Sequence, residues 1–179
     1  MAMTLPRLLQ GWSLLARIAR HRCLDGTDSC RALGPGGVER LQSLVAASER
    51  MHSGEIRVCV EAGLPLSYLW RGATARERAI AVFGKLRVWD TEHNNGVLIY
   101  LLLAERRIEI VADRGLNPHV PASQWHAMAS AMAEAFGVER YADGLATAVG
   151  QVHQVLSRHF AVAPGAPNAN ELPDAIVLW

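Results

Sequence analysis

Val97 to Leu103, reading VLIYLLL, is the most apolar run in the chain and constrains the fold more than any other segment. It is short, follows the turn signal Asn95-Gly96 and mixes β-branched with aromatic residues, a pattern that predicts a strand. Both of its alternating faces are apolar: Val97, Ile99, Leu101 and Leu103 on one, Leu98, Tyr100 and Leu102 on the other. A strand with one solvated face alternates polar with apolar residues, so this one is expected at the centre of a sheet covered on both sides.

The neighbouring segments supply the rest of that sheet. Glu55 to Glu61 alternates, with Ile56, Val58 and Val60 on one face and Glu55, Arg57, Cys59 and Glu61 on the other. The partly polar second face predicts an exposed or edge-like strand. Leu64 to Arg71 reads as irregular, and Thr74 to Glu77 is a capping-box pattern that opens a helix with its stripe on Ala79, Val82, Phe83 and Leu86. Strand, helix and strand in that order imply a crossover that returns the second strand parallel to the first. After a turn at Glu105-Arg106, Arg107 to Ala112 comes back antiparallel. Pairing Leu103 with Ile108 places Leu101 opposite Ile110, Ile99 opposite Ala112 and Leu98 opposite Asp113.

Helices are predicted at both ends of the chain. Residues 4–21 carry Leu5, Leu8, Leu9, Trp12, Leu15 and Ala19 on one face, with Arg7, Arg17, Arg20 and Arg22 giving a basic character. Such a helix either lies on a membrane surface or partner, or packs on its own domain. Asp25 to Gly37, rich in glycine, reads as a loop. Val38 to His52 predicts a helix burying Leu41, Leu44, Val45, Ser48 and Met51. Later helices have stripes of Trp125, Met128, Ala129, Met132 and Phe136, and of Leu145, Val149, Val152 and Leu156. Residues 161–173 are expected to run over the surface. The apolar end, 175–179, is expected to dock as an edge strand or to pair with another chain. The organisation that follows is a basic helix and loop over 1–36, an α/β domain over 37–160 and a C-terminal tail over 161–179.

The 179 residues suit one domain with one substantial core, and 18 basic against 17 acidic residues leave no field pointing to nucleic acid. No apolar run approaches the roughly 20 residues of a membrane span, and no secretory signal is recognisable. Cys23, Cys30 and Cys59 fall at no disulfide or zinc spacing and read as reduced thiols of a cytoplasmic protein.

The hairpin brings Asp113 back towards Asn95 and Gly96, and a parallel Glu55 strand starts at the same end. Asp90, Glu92, Asn94, Asn95, Asp113 and Asn117 are therefore expected at one edge, with Arg114 and His119 beside them. Carboxylate and amide oxygens are the hard donors that calcium or magnesium takes. The candidate metal set is Asp90, Asn95 and Asp113, with Glu55 a weaker member. Asp113, Arg114 and His119 are the residues an enzyme would use. Asp90-x-Glu92-x-Asn94 is not an EF-hand, since the glycine falls one place late and position twelve is Leu101. The ordinary role of such residues is to cap helices and shape turns. No G-x-S-x-G, H-E-x-x-H, P-loop or dinucleotide fingerprint occurs.

HSGEIRVCVE, then RERAIAVFGKLRVWDTEHNNGVLIYLLLAERRIEIVADRGL, then the W…M…F…Y helix pair and the NELPD tail resemble the TPM-domain family over residues 38–179. The likeness is greatest to its small cytoplasmic bacterial branch. The resemblance implies a three-layer α/β/α sandwich with a mixed sheet of about four strands. It also implies accessory roles: members are linked to photosystem repair, receptor accessory functions and membrane-protein maintenance. Some bind calcium, and a weak acid phosphatase activity has been proposed for a plant member. The family's acidic and amide-bearing loops correspond to Asp90, Asn95 and Asp113. The exported branch's signal and membrane anchor are not seen, and its glycine-rich turn is replaced by Ala112-Asp113-Arg114-Gly115.

Two functions of different class follow. One is a non-enzymatic accessory domain with a protein partner, a bound divalent cation and a peripheral membrane contact through residues 4–21. The alternative is a metal-dependent phosphohydrolase working at the Asp90/Asn95/Asp113 edge.

Overall fold

A computed structural model describes residues 7–137, 140–163 and 168–179, with side chains over 14–130, 140–163 and 168–179. The chain runs α1 (Arg7–Arg22), α2 (Gly26–Leu33), α3 (Gly37–Glu49), β1 (Ile56–Glu61), α4 (Leu66–Trp70), α5 (Ala75–Lys85), β2 (Val97–Leu102), β3 (Arg107–Ala112), α6 (Ala122–Gly137), α7 (Tyr141–His159) and β4 (Val177–Leu178). The four strands form one mixed sheet in the order β3-β2-β1-β4. β1 is parallel to both β2 and β4, and β2 is antiparallel to β3.

The apolar run forms β2 as expected, buried along its whole length. Its two faces belong to two cores. Val97, Ile99 and Leu101 join Ile56, Val58 and Val60 of β1 under α3, α6 and α7, through Leu41, Val45, Trp125, Leu145 and Val149. Leu98, Tyr100 and Leu102 join Leu69 of α4 and Ala79 and Val82 of α5, with Ile18 of α1 packed alongside. Helices on both faces of a mixed sheet make the three-layer α/β/α sandwich.

Several expectations are corrected. β1 is not an edge strand: it sits between β2 and β4 and is buried throughout. Its polar face is covered: Arg78 of α5 bonds Glu61, and the backbone of the C-terminal tail bonds Glu55. The hairpin register is two residues tighter, with Leu101 opposite Ile108 and Ile99 opposite Ile110. Leu103–Glu105 leaves the strand as a 3-10 turn, and Arg106 completes it in the left-handed region. A shift of two keeps every side chain on its expected face. Asp113 still meets the start of β2, its N–H donating to Gly96 O at 2.9 Å.

The segment expected as a loop contains α2. Asp25 caps it by accepting from Thr27 N and Asp28 N, while Asp28 accepts from Asp25 N. The capping box satisfies the free N–H groups of a first turn. Leu66–Trp70 is a short helix rather than irregular chain. On α3, Leu41, Val45 and Ser48 are buried, but Leu44 faces solvent, as does Met51 just beyond the helix, which ends at Glu49 rather than His52.

Residues 4–6 of the predicted first helix lie outside the described residues, as do the side chains of Leu8, Leu9, Trp12, Met132 and Phe136. In the described part of α1 the packed face is Leu14, Arg17, Ile18 and His21, while Leu15 and Ala19 are exposed. The helix is anchored on its own domain by polar bonds. Arg17 bonds Glu105 at 2.7 Å and the Ala73 carbonyl at 2.6 Å. His21 Nδ1 accepts from Leu64 N, so Nε2 carries the hydrogen and donates to Glu105. The tail docks as expected: Trp179 N donates to Val60 O and Ala62 N donates to Trp179 O. Among the described residues no helix is long and apolar enough to cross a membrane.

Candidate functional site

Thr91 to Asn95 and Asp113 to Asn117 form two facing loops where β2 begins and β3 ends. Asn94 sits in the left-handed region, which an asparagine tolerates better than most residues. Its carbonyl accepts from Gly115 N at 2.9 Å, and its side-chain oxygen accepts from Arg114 Nε at 3.0 Å. A side chain at Gly115 would run into the backbone oxygens of His93 and Asn94, and one at Gly96 into the carbonyl of Val88. The glycines therefore let the loops close on one another.

Two of the predicted residues lie on these loops with a buried oxygen that has no donor. Asn95 is fully buried; its N–H donates to Thr91 Oγ1 and its amide nitrogen to Ser53 Oγ at 3.2 Å. Its side-chain oxygen is buried without a donor. Asp113 Oδ1 accepts from Arg114 N at 2.7 Å and caps the turn that follows, while Oδ2 is buried without a donor. The other members go elsewhere. Asp90 is exposed and bonded to Arg87. His119 turns away to stack on His159, with ring centroids 4.6 Å apart. Among the described residues no three His, Cys, Asp or Glu side chains converge as metal ligands do.

Glu55 lies at the same end of the sheet but is held by the tail. It is buried, and its two oxygens accept from the N–H groups of Glu171 (3.1 Å) and Leu172 (3.2 Å). Burial raises its pKa, against those two bonds.

Next to it stands a cluster that the sequence reading did not identify. Glu49 accepts from Ile56 N at 2.7 Å, and burial pushes its pKa up to about 9, helped by the like charges of Glu55 and Asp174. It is therefore a neutral acid at neutral pH. Arg57 is buried, its Nε and Nη1 meet no acceptor, and desolvation lowers its pKa. Six buried side-chain polar atoms among the described residues lack a partner, and five of them belong to Glu49, Arg57, Asn95 and Asp113 at this one end. The signal in the sequence was the charged face of β1, which reads equally well as solvent exposure.

Behind these loops, buried Ser48 and His52 and half-buried His153 form a chain. His52 Nδ1 donates to Gly54 O at 2.9 Å, which leaves Nε2 to accept from Ser48 Oγ at 2.7 Å. Ser48 Oγ lies 3.0 Å from His153 Nδ1. Burial lowers the His52 pKa to about 4, so it stays neutral. Ser48 is only 5 % exposed, which closes it to substrates and makes this chain a structural strut between α3 and α7.

Comparison with known proteins agrees with this architecture. The protein BA42 of the psychrophilic bacterium Bizionia argentinensis, known from its NMR structure, is 26 % identical, with a TM-score of 0.67 over 79 % of this chain and 91 % of that one. The N-terminal domain of a protein from P. gingivalis, also solved by NMR, is 21 % identical. It matches in fold with a TM-score of 0.58 over 76 % of this chain and 90 % of that one. No curated protein matches. A profile of the TPM domain matches residues 27–155, well over half of the chain, and the protein therefore belongs to the TPM-domain family.

Proposed function

We propose that this chain is a non-enzymatic accessory domain that docks a protein partner on the layer formed by α1, α4 and α5. The supporting observation is where the apolar side chains reach solvent. Of the seven large hydrophobic residues exposed among the described residues, five lie on this layer or just after it: Leu15, Leu66, Trp70, Ile80 and Trp89. Trp70 is 65 % exposed and Trp89 49 %, and arginines lie against neighbouring rings, Arg71 on Tyr68 and Arg87 on Trp89. Tryptophan and arginine are the residues that most often dominate binding energy at interfaces. On the opposite layer, among the described residues, only Leu44 and Met51 are large hydrophobic residues exposed to this degree.

The test is affinity capture from extracts of cells that carry the protein, comparing the full chain with Trp70→Ala/Trp89→Ala and with Leu15→Glu. A partner retained by the wild type and lost from the tryptophan variant, at unchanged melting temperature, is the expected result. Each such anchor is worth about 2 kcal/mol or more. If no partner depends on these side chains the reading falls. Flotation of the wild type with anionic vesicles, lost in Leu15→Glu, would instead assign the layer to a membrane surface.

A second reading rests on the orphaned oxygens of Asn95 and Asp113. These two residues would hold calcium or magnesium at the loop pair, since both cations take oxygen donors. Asp90 joins only by leaving Arg87, and Glu55 only by releasing the tail. A cation there would polarise a phosphoryl oxygen, which is what the phosphohydrolase alternative requires. Titration with each cation, followed by NMR, is expected to move the amides of 90–96 and 113–117, and Asp113→Asn is expected to abolish the change. Unmoved amides in these loops would remove both the cation and the hydrolase.

A further inference from the structure

Strand β3 ends the sheet order β3-β2-β1-β4, and among the described residues no strand pairs with its outer side. In an antiparallel pair, alternate residues turn both backbone groups towards the neighbour. Asp113 N donates to Gly96 O, so Arg107, Glu109 and Val111 bond β2. Ile108, Ile110 and Ala112 therefore turn their N–H and C=O groups outward. Of these outward groups only Ile110 O is taken among the described residues, by Arg76 Nη1 at 2.6 Å. Unpaired backbone groups along an edge strand are a template for pairing with another chain.

Cavities flank this edge on both faces of the sheet. Val111 belongs to the core under α5, and Ile108 and Ile110 to the core under α6 and α7. Arg107 and Glu109 share the α5 face with Val111, since side chains alternate along a strand. On that face a cavity of about 420 Å³ is lined by Arg17, Arg76, Glu105, Arg107 and Glu109. Arg17 pairs with Glu105, and Arg76 lies 3.7 Å from Glu109. Arg107 is exposed and has no carboxylate partner among the described residues. This face suits an acid. On the α6 face a cavity of about 80 Å³ is lined by Ile110, Ala112, Trp125 and His126, which suits one small apolar side chain.

We propose that the β3 edge docks an extended segment of a partner protein as an added strand, with small apolar side chains towards α6 and an acidic one towards Arg107. Strand addition takes its affinity from main-chain bonds and its specificity from pockets for alternate side chains. The two faces offer pockets of opposite character, so an alternating segment fits and a uniformly apolar one does not. Arg76 guards the edge in the free chain. A partner N–H replaces it on Ile110 O and leaves the guanidinium to the partner's acid. The proposal rests on neither the exposed tryptophans nor the oxygens of Asn95 and Asp113.

The test is an NMR titration of the full chain with a short peptide that alternates valine with threonine and carries one glutamate among the threonines. The amides of Ile108, Ile110 and Ala112 and the Trp125 indole are expected to shift, and hydrogen exchange at those amides to slow. The same peptide with every amide N-methylated keeps its side chains but cannot bond the edge, and is expected not to bind. Arg107→Glu is expected to weaken binding about tenfold, by turning attraction into repulsion at the rim of the contact. Replacing the peptide's glutamate by lysine is expected to restore binding to that variant. No shift at these amides up to about 10 mM peptide, or equal binding of the N-methylated peptide, overturns the proposal. Equal binding of the glutamate and lysine peptides to the wild type overturns it too. If the free chain sediments as a dimer with those amides already protected, the edge belongs to a second copy and the proposal falls.

Discussion

Strand β1 carries acids at both ends of one face, Glu55 just before it and Glu61 at its close, and the molecule treats them in opposite ways. Glu61 is enclosed in a complete set of partners. Arg78 donates to it from Nε at 2.9 Å and Nη2 at 2.6 Å, and the Tyr100 hydroxyl donates at 2.6 Å. The Arg78 guanidinium is itself covered by the Tyr68 and Trp179 rings. At the Glu55 end the acids meet backbone N–H groups, Arg57 keeps two donors without acceptors, and Asn95 and Asp113 keep acceptors without donors. Nearly every buried polar group in a native protein is paired. The closed cluster is therefore a structural device, while the open one keeps buried atoms without partners, the feature on which the proposed cation site rests.

The largest effect expected from breaking this contrast is at the closed end. Glu61→Ala leaves the Arg78 charge and the Tyr100 hydroxyl buried without their partner, and is expected to cost about 3–5 kcal/mol in denaturant unfolding. Replacing the pair together, Glu61→Leu with Arg78→Met, is expected to recover much of that loss, because no lone charge is left behind. A small effect for Glu61→Ala alone would mean that the closed cluster contributes little and that the contrast is only geometric.

A smaller and pH-dependent effect is expected at the open end. The Glu49 pKa is raised from 4.5 to about 9, so the stability it contributes is present in full below pH 4.5 and is lost as the pH rises towards 9. His52 is lowered from 6.5 to about 4, so its contribution is present above pH 6.5 and is lost as the pH falls through 4. Together they place the stability maximum on the mildly acidic side of neutral. Glu49→Gln keeps the acceptor for Ile56 N and cannot ionise. It is expected to match the wild type near about pH 5 and to melt higher near about pH 8. A lower melting temperature at the higher pH would show instead that Glu49 is ionised and paired with Arg57.

Much of the fold was legible because it rests on periodicity. The two apolar faces of β2 required cover on both sides, the capping box at Thr74 opened α5, and the stripe Leu145, Val149, Val152 and Leu156 formed α7 with all four residues buried. Errors fell where local signals compete. Glycines around α2 outweighed its Asp25 cap. The polar face of β1 read as exposed because an alternating strand does not record what lies above it. Leu15 and Ala19 form an apolar stripe on α1, yet the helix packs by Arg17, Ile18 and His21, since partners distant in sequence made a polar anchor more favourable.

The candidate site divides along the same line. Sequence by itself determined that acidic and amide residues gather where β2 starts, since a hairpin and a parallel crossover leave no other place for Asn95 and Asp113. Only the tertiary structure decided that Asp90 pairs with Arg87, that Glu55 is held by the tail, and that Glu49 and Arg57 are buried beside it. Periodicity fixes which face a residue takes. Burial, and with it the pKa and pairing of every charge, depends on what the rest of the chain lays over that face.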